Sequence, residues 1–328
     1  MPPIADLGDF FNAVDKFFSS LAKIQWGSLI LALLLFGVYL TFRARASFNV
    51  MRAAYPVERF RFRDVWGAYM AGYGFNSVIP ARGGDVVRLF LTKSSIPRSS
   101  YPAVGAAFLV DLLFDLMAGV SALIFAFTQG VFPKPPDLSK LPAFDLSYFA
   151  AHPRFGLFVL TLLGVTTIAV TALLSIRVRA FWARVKQGFT ILFDRRRYLR
   201  QVFAVQALAW VFRFSAFWLL LEAFNIGGSP RKVMLVLGVQ ALSALLPFTP
   251  GGAGAQQALL VKVFGGSANV AAYSVGQQIA VAAFTFGIGF AALAFIFRIR
   301  SFKEAIRRGQ SEREDEAAVG KPEAARVA

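Results

Sequence analysis

From Ser267 to Phe297 the chain runs 31 residues without a charged side chain, from Phe155 to Ile176 another 22, and from Ile24 to Phe42 another 19. About 20 predominantly apolar residues in a helix cross the ~30 Å hydrocarbon core of a bilayer. Hydrocarbon offers no partner for exposed backbone N–H and C=O groups, so such runs must close their hydrogen bonds internally, as helices do. Of the 328 residues 57% are apolar and 16% charged, which leaves too little polar surface to solvate so many runs. The expected fold is all-α, a polytopic membrane helix bundle.

Two further apolar segments break in the same way, with Pro80 and Pro250 lying 170 residues apart. One reads Asn76-Ser77-Val78-Ile79-Pro80-Ala81-Arg82-Gly83-Gly84-Asp85, the other Leu246-Pro247-Phe248-Thr249-Pro250-Gly251-Gly252-Ala253-Gly254. Paired interruptions in corresponding positions of two halves are the sequence pointer to a transporter's binding site. Irregular backbone survives at membrane depth only where protein or water satisfies it, so both breaks are expected to line a cavity. At 1.5 Å per residue the arm Asp64–Ile79 is about 24 Å long and the arm Asp85–Lys93 about 14 Å. The second cannot cross the core, so each broken segment is expected to be a re-entrant hairpin. The alternative is a kinked helix that crosses.

Charge sets the expected topology. The loop Arg43 to Arg63 holds six Arg and one acid, and Arg177 to Arg200 holds eight basic residues and one acid. Arg298 to Arg308 is basic again, whereas Gln129 to Arg154 is nearly neutral. With both hairpins re-entrant, the three basic segments fall on one side, as the positive-inside rule requires. The C-terminus is then cytoplasmic and the start of the first span outside, in a multi-pass protein of the cell (plasma) membrane. The two halves follow mirror paths, an inverted repeat. The expected organisation is an interfacial amphipathic helix over residues 1–23 and a first membrane half over 24–176. That half holds the re-entrant segment 64–93 and the connector span 155–176. A basic cytoplasmic loop over 177–200 follows, then a second half over 201–297 with re-entrant segment 233–264. A mostly disordered cytoplasmic tail covers 298–328.

The net charge of +17 does not point to nucleic acid, because the Arg and Lys sit in short loops between apolar runs and no basic domain stands clear of them. There is no cysteine and a single histidine, His152, in a Pro-flanked loop. A His-based triad or a His- or Cys-ligated metal is not expected, and neither is a cofactor. The N-terminus lacks the basic region of a cleavable signal peptide.

Charges inside spans are costly and usually functional. Asp111 and Asp115 lie mid-span and four residues apart, hence on one helix face. Arg213 lies mid-way along the fourth span, and Arg82 sits at the first break with Asp85 and Arg88 just beyond. Two readings fit: a buried ion-pair network that fixes helix packing, or a polar cavity for a charged headgroup. Both return arms open on glycine, Gly83-Gly84 and Gly251-Gly252-Ala253-Gly254. Their free N–H groups and positive dipole ends suit an anion, unless these glycines serve only tight turning and close helix approach. Gln256, Gln257, Gln277 and Gln278 add amides on the second half that can bridge helices or meet substrate.

These patches resemble the lysylphosphatidylglycerol synthase transmembrane-region family, also called flippase-like domain proteins. The motifs are Pro80 with Arg82-Gly83-Gly84-Asp85-Val86-Val87-Arg88, then Asp111-Leu112-Leu113-Phe114-Asp115, then Pro250-Gly251-Gly252-Ala253-Gly254. Leu112 stands where relatives commonly carry Arg, and Gln257 where an acid is common. The sequence is similar to the flippase half of the multiple peptide resistance factor, without the synthase domain, so aminoacyl-lipid synthase activity is expected to be absent. The resemblance implies a lipid translocase and no enzyme. Its substrate-binding residues would be Arg82, Gly83, Gly84, Asp85, Arg88, Asp111, Asp115, Arg213, Pro250, Gly251, Gly252, Gly254 and Gln257. Arg82, Arg88 and the glycine N–H groups would hold phosphate; Asp111 and Asp115 would balance them or hold a cationic headgroup. The partners implied are membrane lipids with an anionic or zwitterionic headgroup, a lipid-modifying synthase and a second copy of the chain. The rival readings are a membrane-embedded enzyme with Asp111 or Asp115 as general base, and a non-transporting partner subunit in lipid-linked envelope biosynthesis.

Overall fold

The computed structural model describes residues 22–79, 82–130, 181–243 and 254–298, together with Ser19. Most of the expected interfacial helix, the connector span 155–176, the hairpin tips at Pro80 and at Pro250, Gly251 and Gly252, and the tail beyond residue 298 lie outside them.

Helix is the only regular structure among the described residues. In chain order the elements are α1 (Trp26–Ala54), α2 (Phe62–Asn76), α3 (Gly83–Ser95) and α4 (Tyr101–Thr128). Residues 181–188 are helical too. The short α5 (Thr190–Phe193) and α6 (Arg195–Tyr198) lead through a π-turn (Leu199–Phe203) into α7 (Ala204–Ala223). Then follow α8 (Pro230–Ser243), α9 (Ala255–Phe264) and α10 (Ala268–Phe295). Among the described residues, four stretches are long and apolar enough to cross a membrane: α1, α4, Arg195–Ala223 and α10.

Local chemistry sets the boundaries. Tyr55 ends α1, its N–H donating to Met51 O at 2.8 Å, because Pro56 excludes the helical region for the residue before it. At the start of α10 the Ser267 side chain accepts from Val270 N–H, an N-cap worth about 1 kcal/mol. Arg82 takes the left-handed conformation (φ 57°) immediately before α3, which turns the chain at the first break. The first span therefore does not end at Phe42. α1 continues to Ala54, so Arg43, expected at the edge of a loop, lies inside a helix and is 4% exposed. No Gly or Pro interrupts the sequence between Gly37 and Pro56, and the helix persists through the arginines.

The packing runs between the two halves more than within them. α1 and α7 pair antiparallel along their lengths. Gln25 N donates to Ala223 O at 2.9 Å at one end, and Asn49 Nδ2 to Gln201 O at 2.7 Å at the other. Between them Phe42 stacks on Phe212 with centroids 5.4 Å apart, and Phe36 meets Phe217 edge-on at 6.2 Å. The other two long contacts are reciprocal: α2 of the first half against α10 of the second, and α8 of the second half against α4 of the first.

Both reciprocal contacts rest on small residues, which let helix backbones approach closely. A Cβ at Gly74 would sit 2.5 Å from Thr285 O, and one at Gly289 2.8 Å from Met70 O, so α2 and α10 run antiparallel. A Cβ at Gly238 would meet Ala126 Cβ at 2.9 Å and Ala122 O at 3.0 Å, and one at Gly119 would lie 3.7 Å from Ala241 Cβ. α8 and α4 are antiparallel as well.

α2 and α3 form a tight antiparallel hairpin: a Cβ at Gly84 would lie 2.1 Å from Gly72 O. The hairpin leaves from the end at which it began. Ser100 N–H donates to Tyr55 Oη at 3.2 Å, and Arg98 reaches Glu58 at 4.0 Å. The same end collects residues 181–200, where Gln187 Nε2 donates to Ala54 O at 3.0 Å, and the end of α10, where a Cβ at Gly67 would meet Ile296 Cδ1 at 2.8 Å. The first two Arg-rich segments thus reach one end of the bundle, and α10 ends there; residues 299–308 lie outside the described residues.

Candidate functional site

The charged residues that the sequence places mid-span meet in a line of polar side chains through the centre of the bundle. Arg88 projects from α3 between two rings, its guanidinium carbon 4.3 Å from the centroid of Tyr69 and 3.9 Å from that of Phe108. Each desolvated contact of this kind contributes about 2 kcal/mol. Its Nη2 donates to Asp111 Oδ2 and to Ser47 Oγ, both at 2.7 Å. Asp111, 3% exposed, accepts on its other oxygen from Gln206 Nε2 at 3.2 Å.

Gln206 passes the network on. Its Oε1 accepts from Arg43 Nη1 at 3.0 Å, Arg43 Nε donates to Tyr69 Oη at 3.1 Å, and Arg43 Nη2 pairs with Asp115 Oδ2. Two guanidinium groups and two carboxylates therefore form one charge-neutral cluster, drawn from α1, α3 and α4 and tied to α2 and α7 by Tyr69 and Gln206. Burying ions costs several kcal/mol each unless pairing and hydrogen bonds offset it. Here every charge has both. One carboxylate oxygen, Asp115 Oδ1, is buried without a hydrogen-bond partner.

Further along α7, Arg213 extends the line. Its Nη2 donates to Gln240 Oε1 of α8 at 2.8 Å, and its Nη1 approaches Tyr39 Oη of α1 at 3.4 Å. Its guanidinium carbon lies 4.7 Å from the Trp210 ring centroid. Arg43 and Arg88 each hold an aspartate; among the described residues Arg213 pairs with none.

Several residues expected at the site lie elsewhere. Arg82 pairs with Asp85 at 3.0 Å, and the two side chains are 69% and 40% exposed, an ion pair of small net worth. Asp85 also accepts from Asn76 Nδ2 at 2.8 Å, which ties α3 to the end of α2. Arg82 thus stays at the hairpin tip while Arg88 turns inward to Asp111. Gly83 and Gly84 serve close packing: a Cβ at Gly83 would meet Ile79 Cγ2 at 2.4 Å. Gln257 caps its own helix, accepting from Gly254 N–H at 2.6 Å and donating to Gln278 Oε1. Pro250, Gly251 and Gly252 lie outside the described residues. Among the described residues no group of His, Cys, Asp and Glu could hold a metal ion.

Arg43, Tyr69, Gln206, Tyr39 and Gln240 were not expected at the site. The signal for Arg43 was the absence of any helix breaker before Pro56. The two glutamines carried none beyond being amides in apolar spans.

A buried, charge-paired centre inside a bundle of apolar helices is the mark of a membrane domain, and a comparison with protein families gives the same answer. The family described as "Lysylphosphatidylglycerol synthase TM region" matches residues 10–296. The chain belongs to the lysylphosphatidylglycerol synthase transmembrane-region family. All of the polar centre and both breaks fall within the matched residues of this family. No curated protein and no solved structure matches the chain.

Proposed function

We propose that this member of the lysylphosphatidylglycerol synthase transmembrane-region family is a lipid translocase of flippase-like type. The observation that carries the reading is the polar line from Arg88 and Asp111 through Gln206, Arg43 and Asp115 to Arg213 and Gln240. It crosses helices long enough to span a bilayer, and ionisable residues at that depth mark substrate pathways. A lipid headgroup moves along this line while its tails stay in the hydrocarbon.

The packing supports two further parts of the reading. The antiparallel α1–α7 pair and the reciprocal α2–α10 and α8–α4 contacts are what an inverted repeat with an in-plane pseudo-two-fold axis produces. The return of α2–α3 to the end it came from suits a re-entrant hairpin. Collection of the first two Arg-rich segments and of the end of α10 at one end suits a cytoplasmic location for that end and for the C-terminus. The membrane is then the plasma membrane, and a lipid-modifying synthase is the natural source of the headgroup.

The test is a reconstituted system. Purified protein in vesicles of neutral phospholipid carries a trace of tail-labelled phospholipid, and dithionite bleaches the outer leaflet. Loss of the protected inner-leaflet signal in the presence of wild-type protein is the expected result. Asp111→Asn and Arg43→Gln should each slow it strongly. A protected fraction that matches protein-free vesicles, over a panel of anionic and zwitterionic headgroups, rules the reading out.

A further inference from the structure

The orphaned hydrogen-bonding atoms of the polar line are not distributed evenly. On α7, Arg213 Nε and Trp210 Nε1 are both buried donors without an acceptor. On α8, Ser243 Oγ is also buried without a partner, three residues beyond Gln240 and therefore on the same face of the helix. Arg213 has only neutral partners, Gln240 and Tyr39, whereas the other two arginines of the line are paired with aspartates. Asp115 lies close enough to act on Arg213 but is paired with Arg43, and the line as a whole sets three guanidinium groups against two carboxylates. A half-buried guanidinium with a buried, unpartnered Nε and no paired carboxylate among the described residues, beside a buried indole N–H without an acceptor, presents donors suited to an anion. Buried polar groups are otherwise almost always paired.

We infer that Arg213, with Trp210 and Gln240, binds a phosphate-type oxyanion, and that this is where an anionic headgroup docks in the second half. The inference rests on the lipid-translocation reading for its occupant. It places anion recognition in the second half, away from Arg88, which is held by Asp111. Guanidinium recognises phosphate through fixed, planar donors that an ammonium lacks. The indole N–H adds a neutral donor, and Gln240 holds the guanidinium from the α8 side. Only Nη1 and Nη2 are engaged by protein, which leaves Nε and the remaining N–H groups for the oxyanion.

The experiment uses the full chain in detergent, with dioctanoyl phosphatidylglycerol as probe and Trp210 as reporter. Titration should change the tryptophan emission saturably in the wild type, and Trp210→Phe should remove most of that change. Arg213→Gln should weaken binding about tenfold or more, the loss expected for hydrogen bonds to a charged group. Arg213→Lys should retain part of it. Arg231→Gln, an exposed cation on the same half, should bind as wild type, and dioctanoylglycerol should not bind. Competition by inorganic phosphate assigns the site to the bare oxyanion; no competition assigns it to the lipid phosphodiester. Either result supports an anion site.

Unchanged binding by Arg213→Gln with wild-type helical content overturns the proposal, as does equal binding of the uncharged lipid. If Arg213→Gln does not fold, Gln240→Leu replaces it. That variant should bind several-fold more weakly, and wild-type affinity would overturn the proposal in the same way. Anion binding without any lipid translocation in vesicles would remove the transport reading and leave the Arg213 site standing. Normal translocation with Arg213-independent binding would remove the site alone.

Discussion

Arg88 on the return arm of the first hairpin donates to Asp111 at the middle of α4 at 2.7 Å. The pair ties the hairpin to a spanning helix, and its side chains are only 13% and 4% exposed. Removing one partner of such a pair strands the other charge, at a cost of about 3–5 kcal/mol, while replacing both with apolar groups is often neutral. Asp111→Asn and Arg88→Met should each lower the midpoint of thermal or detergent-induced unfolding sharply. The double variant Arg88→Met/Asp111→Leu should recover most of the loss. A double variant no more stable than the worse single one would show that the hairpin is held by something else.

The glycines give a contrast in sign. A Cβ at Gly74 would press on the backbone of α10 at 2.5 Å, whereas one at Gly105 meets nothing within 4 Å. Gly74→Ala should destabilise by about 1–3 kcal/mol, the usual cost of overpacking. Gly105→Ala should be neutral or stabilising by up to ~1 kcal/mol, because alanine is the better helix former. Unfolding midpoints of the two purified variants check both values.

These residues also show what the sequence could convey. The first break was legible because Pro80 and Gly83-Gly84 stand close together in an apolar run; residues 244–253 of the second lie outside the described residues. Asp111 and Asp115 were legible because a charge mid-span is rare. Arg43 was not, since an arginine that follows an apolar run looks like the boundary of the span. Only the absence of a breaker before Pro56 could have corrected that. The pairing of Arg88 with Asp111, and the bridging of Asp111 to Arg43 by Gln206, joins residues remote in sequence. No spacing rule relates them. Likewise the small residues Gly74, Gly238 and Gly289 read as permissive positions until the facing backbone is known. The glycines at the first break suggested an anion site, but Gly72 and Gly84 meet so closely that arm packing explains Gly84.

Orientation is testable because the chain has no cysteine. Val57, 85% exposed, lies at the Arg-rich end of the bundle, and Arg231, also exposed, at the other. In intact cells a membrane-impermeant maleimide should label Arg231→Cys, and should label Val57→Cys only after permeabilisation. The reverse pattern would invert the topology, and labelling of both in intact cells would remove it.

The proposed translocation needs the two halves to move against each other, and the α8–α4 contact offers a reversible lock. A Cβ at Gly119 lies 3.7 Å from Ala241 Cβ, within the ~3.5–4.5 Å separation of a disulfide. The direct measurement is dithionite-resolved lipid translocation by Gly119→Cys/Ala241→Cys in vesicles, oxidised and then reduced. Translocation should stop on cross-linking and return with reductant, while each single-cysteine variant works in both conditions. Undiminished translocation by the fully cross-linked protein would contradict relative movement of the halves as the means by which the headgroup crosses.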